Sequence, residues 1–339
     1  MLPPLSMMAA GLALLVLTAY VLLGGADFGG GVWDFFARGK RAEEQREAIA
    51  TAMGPVWEAN HVWLIFLIVI LFSAFPVAFA ALSEAFFIPF HLLLAGITLR
   101  GAAFVFRAHG SDEAGPQRAW ARAFGSASII TPVLLGMCLG AVSAGGIRVV
   151  DGQVRVDYFT AWLTPLSIAC GLLALALFAY LAATYLCVET EGELQEDFRQ
   201  RTLISGGVVV ALAVILLPLI AIQAPYLAGQ LLSYTALPVM VIGTALALVS
   251  LWAVLTRRFR LARVTAAGQV TMLLWGWALA QWPYIIYPDL TVEAAAAPDS
   301  TLTFLLATAP LGALLLIPSL FLLFSVFKGR NPEGTGADN

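Results

Sequence analysis

Along its length the chain alternates long apolar runs with short polar connectors. A membrane-crossing helix needs about 20 mainly apolar residues. Nine segments meet that requirement, at about 7–35, 56–81, 84–106, 121–144, 159–188, 203–223, 231–255, 264–287 and 301–327. The pattern predicts an all-α polytopic membrane protein with nine transmembrane helices. It forms a single membrane domain over 1–328, followed by a polar tail over 329–339. Two connectors are long enough to have structure of their own. Residues 145–158 contain Asp-Gly with alternating valines, which predicts a small hairpin. Residues 287–300 are acidic and Ala-rich, and Pro288 and Pro298 rule against a continuous helix there.

Composition sharpens the membrane assignment. Of 339 residues, 60% are hydrophobic and 12% charged, against about 25% charged in soluble domains. The net charge of −3 says little about partners, and no nucleic-acid partner is expected. The first basic residue is Arg38, so the first apolar segment lacks the basic n-region of a signal peptide and reads as a retained helix. Fifteen of the eighteen basic residues fall in the odd-numbered connectors and the C-terminal tail, and only Arg148 and Arg155 on the other side. That bias places the N-terminus outside and the C-terminus in the cytoplasm. Cys138, Cys170 and Cys187 lie in or beside apolar runs and read as small buried hydrophobes.

The chemistry concentrates in Gly54-Pro55-Val56-Trp57-Glu58-Ala59-Asn60-His61-Val62-Trp63, which runs directly into nine apolar residues. Pro55 fits the first turn of a helix. Glu58 and His61 share a helix face, and an ionisable pair at the mouth of an apolar helix marks a functional-site candidate. Asp27 lies eleven residues before Arg38, and Arg100 seven before Arg107, about 10 Å above the inner boundary. Asp27, Glu58 and Arg100 are therefore expected in the cytoplasmic third of the bilayer. They form either a register-fixing ion cluster or a proton-conducting one, in which burial raises a carboxyl pKa and a nearby guanidinium lowers it again; otherwise Arg100 snorkels to headgroups, or Asp27 lies in a wet mouth. The glycine run beside Asp27 lacks a phosphate loop's strand and Lys-Ser/Thr, and suits a close helix crossing. Glu58-x-x-His61 has half the spacing of a bundle di-metal site, but no second copy occurs. His61 and His91 differ in depth, so no metal or haem ligand is expected in this chain. Glu84 reads as an acidic residue at a helix N-terminus. Trp275, Trp277, Trp282, Tyr284 and Tyr287 read as an aromatic belt at the outer end of the eighth helix.

The stretch Gly54–Ile65 closely resembles the signature of subunit II of cytochrome bd-type quinol oxidases. Ala26-Asp-Phe-Gly-Gly-Gly31, Phe72-Ser-Ala-Phe-Pro-Val-Ala-Phe-Ala80, Arg100-Gly-Ala-Ala-Phe-Val-Phe-Arg107, Ala183-Thr-Tyr-Leu186 with Glu191-Gly-Glu-Leu194, and Trp282-Pro-Tyr with Leu290-Thr and Thr301-Leu follow that family's order. The resemblance implies two four-helix bundles plus one peripheral helix in the bacterial inner membrane. It implies pairing with a haem-bearing subunit I that carries haem b and haem d, or b in place of d. The pair would oxidise membrane quinol and reduce dioxygen to water with cytoplasmic protons. The proton route then involves Glu58, with Asp27, Arg100, His61 and Asn60 beside it. Trp57, Trp63, Gly54 and Pro55 are motif and packing positions. Lipids, a structural quinone and a small single-helix accessory subunit are further partners consistent with the family. Glu58 stands where the family commonly has Asp, His61 where Gln is common, and Gly24 where a second acid often precedes the first-helix motif.

Two other readings compete. A secondary transporter could bind substrate at Asp27, Glu58 and Arg100, although paired interrupted helices are missing from the sequence. A purely structural partner subunit would use the same cluster for register alone.

Overall fold

The computed structural model describes residues 3–53, 57–109, 114–150 and 153–328, with the backbone alone at 57, 58, 108, 109, 114 and 323–328. Its helices are α1 (Leu5–Phe35), α2 (Ala42–Met53), α3 (Trp57–Ala74), α4 (Pro76–Ala85), α5 (Phe87–His109) and α6 (Ala114–Ala141), then α7 (Pro165–Glu189), α8 (Gly192–Gln223), α9 (Pro225–Leu231), α10 (Ala236–Leu255), α11 (Phe259–Gln281) and α12 (Asp299–Lys328). Two small hairpins, β1 (Arg148–Val150) with β2 (Gln153–Arg155) and β3 (Tyr284–Ile286) with β4 (Leu290–Thr291), complete the chain.

Among the described residues, α1, α5, α6, α7, α8, α10 and α12 are each long and apolar enough to cross a membrane, and the bent α3–α4 pair makes an eighth if it is one span. Each of the nine apolar segments of the sequence overlaps a helix, although 159–164 and 282–287 lie outside one. However, α11 carries Arg260, Arg263, Thr265, Gln269 and Thr271 and does not reach the same apolarity.

Helices α1, α3, α5 and α6 pack together, and so do α7, α8, α10 and α11. The two groups meet where α7 lies against α1 and α6. Helix α12 stands outside both, touching α3 and α1. Small residues make these joints. A Cβ added at Gly29 would run into the Phe178 carbonyl of α7, one at Gly31 into Ser128 of α6, and one at Gly136 into backbone of α7. The glycine run beside Asp27 is thus a close crossing, as its composition predicts.

Three expectations change. The second apolar segment is not one straight helix. It breaks at Phe75, where Pro76 opens α4, and the chain turns by 119°. Proline cannot donate the hydrogen bond that would continue α3. The carbonyl of Ala74 instead accepts from the Ala297 backbone N–H at 2.8 Å, so the broken end is capped by the segment before α12. Glu84 consequently lies in the last turn of α4 and does not open the third predicted segment. The eighth predicted helix ends at Gln281, six residues early, and its Tyr284 belongs to a strand. Trp275 and Trp277 are not a lipid-facing belt. Their indoles donate inward to Thr18 and Ser143, each at 3.0 Å.

The hairpin expected at 145–158 is present, with Val149 opposite Val154, while its Asp-Gly tip at 151–152 lies outside the described residues. Arg148 donates to Asp289 through Nε at 2.7 Å and Nη2 at 3.0 Å, and the Val149 N–H donates to the same carboxylate at 2.9 Å. This ties the two hairpins together.

Candidate functional site

The centre of the first group of helices holds a buried polar cluster in an otherwise apolar packing. Helix α1 supplies Asp27, 4% exposed, and α5 supplies Arg100, 2% exposed. Asn60 and His61 come from α3, whose first turn also carries Glu58. The Asn60 amide donates to Asp27 Oδ2 at 2.6 Å. Arg100 Nη2 donates to the Asp27 backbone carbonyl at 2.9 Å, and its Nε to Ser128 Oγ on α6 at 3.1 Å. Its Nη1 stands 3.5 Å from His61 Nε2.

Aromatic faces close the guanidinium in. Its carbon lies 4.8 Å from the Phe28 ring centre and 5.1 Å from that of Phe124. The His61 ring stands edge-on to Phe28 at 5.6 Å, and Tyr20 lies beyond it at 6.2 Å. A desolvated cation gains most from ring faces and from acceptors held in fixed geometry. Arg100 has both, so it is a rigid centre and not a side chain reaching for headgroups.

About two helical turns further on, a second rung joins the same two helices. Arg107 donates to both oxygens of Asp34 at 2.9 and 3.2 Å. Arg107 also lies over Phe124, at 5.4 Å, so that ring sits between the two guanidiniums. The pairs 27/100 and 34/107 both advance by seven residues, which requires α1 and α5 to run in the same direction.

The cluster has an opening. A pocket of about 120 Å³ reaches Asp27 and Asn60 past Gly30, Met53 and Ala182, and its lining extends to Tyr185, Glu189 and Arg263. Glu189 and Arg263 form an ion pair at 3.1 Å with both side chains more than a third exposed.

Asp27, Asn60, His61 and Arg100 are therefore brought together. Gly54 and Pro55 lie outside the described residues, and so do the side chains of Trp57 and Glu58. Trp63 packs among the apolar side chains of the two main cores. His91 is on α5 nine residues before Arg100, with its Nδ1 2.6 Å from the Phe87 carbonyl oxygen. His91 and His61 do not converge on a shared site. The sequence reading missed Ser128, Phe28 and Phe124 around the guanidinium. Ser128 had a legible signal, since a buried arginine needs acceptors and Gly-Ser-Ala-Ser is the polar stretch of the apolar α6. It also missed Glu189 and Arg263, which look like ordinary helix-end charges.

Three comparisons with known proteins bear on this arrangement. The family model for cytochrome bd terminal oxidase subunit II matches residues 5–327. A Bacillus subtilis protein provisionally assigned as a cytochrome bd menaquinol oxidase subunit II is 25% identical over 320 residues, 91% of each chain. The cytochrome bd-I ubiquinol oxidase subunit 2 of Escherichia coli is 28% identical over 182 residues, which is 53% of this chain and 47% of that one. A chain in the solved bd oxidase from Geobacillus thermodenitrificans has the same fold, with a TM-score of 0.81 and 22% identity, covering 96% of this chain and 99% of that one. The relatives are subunits of quinol oxidases, and the matching residues take in every helix that builds the buried cluster. This chain belongs to the cytochrome bd terminal oxidase subunit II family.

Proposed function

We propose that this chain is the non-haem subunit of a bd-type quinol:dioxygen oxidoreductase in the bacterial inner membrane. It crosses the membrane nine times as one domain, with the N-terminus outside and the C-terminus in the cytoplasm. It stabilises a haem-bearing subunit I and helps deliver cytoplasmic protons toward the oxygen-reducing site. The observation that carries the proton role is the Asp27 carboxylate, buried within an apolar helix group yet lining a pocket that leads out of it. A carboxylate in such a place is costly unless function retains it. Asp27 holds the proton, Asn60 orients the carboxylate, and Arg100 sets its charge balance. His61 and Glu58 extend the route along α3.

The haems belong to subunit I in this reading, and the two described imidazoles of this chain are occupied elsewhere. His61 is engaged beside Arg100 and His91 faces the Phe87 carbonyl. A haem would supply electron transfer and oxygen binding there, and the residues of this chain only move and hold protons. The quinol is likewise met by the partner.

The test is made on the purified complex. A tagged chain should bring with it a second membrane chain and a haem spectrum, whereas a colourless single chain would favour a transporter. Asp27→Asn keeps the shape but cannot ionise. Its quinol oxidase turnover is expected to fall at least tenfold with the haem spectrum intact. Unchanged turnover in that variant would leave only a structural role.

A further inference from the structure

Asp27 lines the pocket described above, and the pocket's other wall is contributed by elements that play no part in the buried cluster. Leu23, Ala26 and Gly30 of α1 form one side, Ala182 and Leu186 of α7 the opposite one. Tyr185, Glu189 and Arg263 stand at its far end, where α7 finishes and α11 begins. About 120 Å³ is room for several waters, since each needs about 10–15 Å³ of such space and two to four polar partners. The pocket supplies those partners at both ends, the Asp27 and Asn60 side chains inside and the Glu189–Arg263 pair at the rim.

We infer that this pocket is the water-filled inlet of the proton route, and that protons reach Asp27 between α1 and α7, past the Glu189–Arg263 ion pair at the rim. The inference rests on the proton-delivery reading of Asp27. A proton arriving from bulk water is taken up by the pocket water and passed to the Asp27 carboxylate, and the released proton leaves along the α3 side of the cluster. No bond other than O–H and its hydrogen bonds is made or broken. Glu189 offers the collecting carboxylate. Arg263 holds it at the mouth, with its guanidinium 5.4 Å from the Tyr185 ring centre. Both are positioning residues.

A covalent plug tests this. In the purified complex, Arg263→Cys is reacted with a bulky water-soluble maleimide, and mass spectrometry reads how much of the chain is labelled. The native chain, with Cys138 and Cys187 buried and Cys170 half-buried, serves as the reagent control for labelling at its own cysteines. Arg260→Cys, exposed and outside the pocket, serves as the position control. Labelled Arg263→Cys is expected to turn over at least fivefold more slowly than the same variant unlabelled. Its solvent deuterium isotope effect should rise, because proton delivery becomes limiting. Labelling at position 260 should change turnover less than twofold. Failure of the reagent to reach position 263, or full labelling with unchanged turnover and isotope effect, would overturn the inlet. Asp27→Asn separates the two levels. If that variant is slow while the plug has no effect, only the inlet falls. If it is fully active, the proton-delivery reading falls first.

Discussion

Arg100 is the side chain on which the buried cluster depends. It is almost wholly withdrawn from solvent, yet every face of the guanidinium meets an acceptor or a ring. Removing one partner of a buried charged arrangement typically costs about 3–5 kcal/mol, because the remaining group is left uncompensated. Arg100→Leu is therefore expected to destabilise the complex by that order, read as a lower thermal transition. Arg100→Lys should recover only part of it, since an ammonium cannot span the Asp27 carbonyl and Ser128 together. Equal melting of the leucine and native chains would mean that the cluster contributes nothing to stability. The equal depth of Asp27 and Arg100 is readable from sequence, because both are counted from basic residues that mark the same boundary. The hydrogen bond from Asn60 is not, since it depends on which face of α3 turns toward α1.

At the scale of elements, close helix crossings decide the packing. Gly29 has no space for a methyl group against the α7 backbone, whereas a Cβ at Gly11 meets nothing. Overpacking a tight site costs about 1–3 kcal/mol, while Gly to Ala at an open helix position gains up to about 1 kcal/mol. Gly29→Ala should therefore reduce the yield of assembled complex and lower its melting point, and Gly11→Ala should leave both unchanged or raise them slightly. The reverse order would displace α1 from its position against α7. Length and hydropathy alone identify seven long helices among the described residues, and an eighth span if the bent α3–α4 pair is one, whereas the arginines of α11 keep it below that apolarity. The break at Phe75 was harder to see. Phe-Pro inside an apolar run reads equally well as a kink, and only the contact from Ala297, more than two hundred residues away, stabilises a full turn of the chain. The inward indoles of Trp275 and Trp277 were hidden for the same reason, because their acceptors lie on distant helices.

For the whole molecule, the two hairpins act as one cap, joined by Arg148 and Asp289 across 141 residues of sequence. The guanidinium beside Asp289 holds its carboxyl below the usual carboxylate range, with the Val149 N–H adding to the effect. A depressed folded value stabilises the junction above the ordinary carboxylate pKa of about 3.9, and the contribution is lost as pH falls through the folded value. Hydrogen-exchange protection of the Val149 N–H should hold from neutral pH down to about 4 and then decline. In Asp289→Asn that N–H should already exchange faster at pH 7, and equal protection in both chains would dissociate the hairpins from this contact. The fold around that cap has a further consequence at the break in the second apolar segment. Helix α3 has 18 residues, about 27 Å of rise, against a hydrocarbon layer of about 30 Å that its neighbours exceed. Its side chains Ile65 and Phe72 are more than 60% exposed. Lipid beside this face has to thin to match it, or another protein has to stand in the lipid's place. Hydrophobic mismatch carries an energy of a fraction of a kcal/mol per Å, so bilayer thickness itself acts on the helix that carries Asn60 and His61.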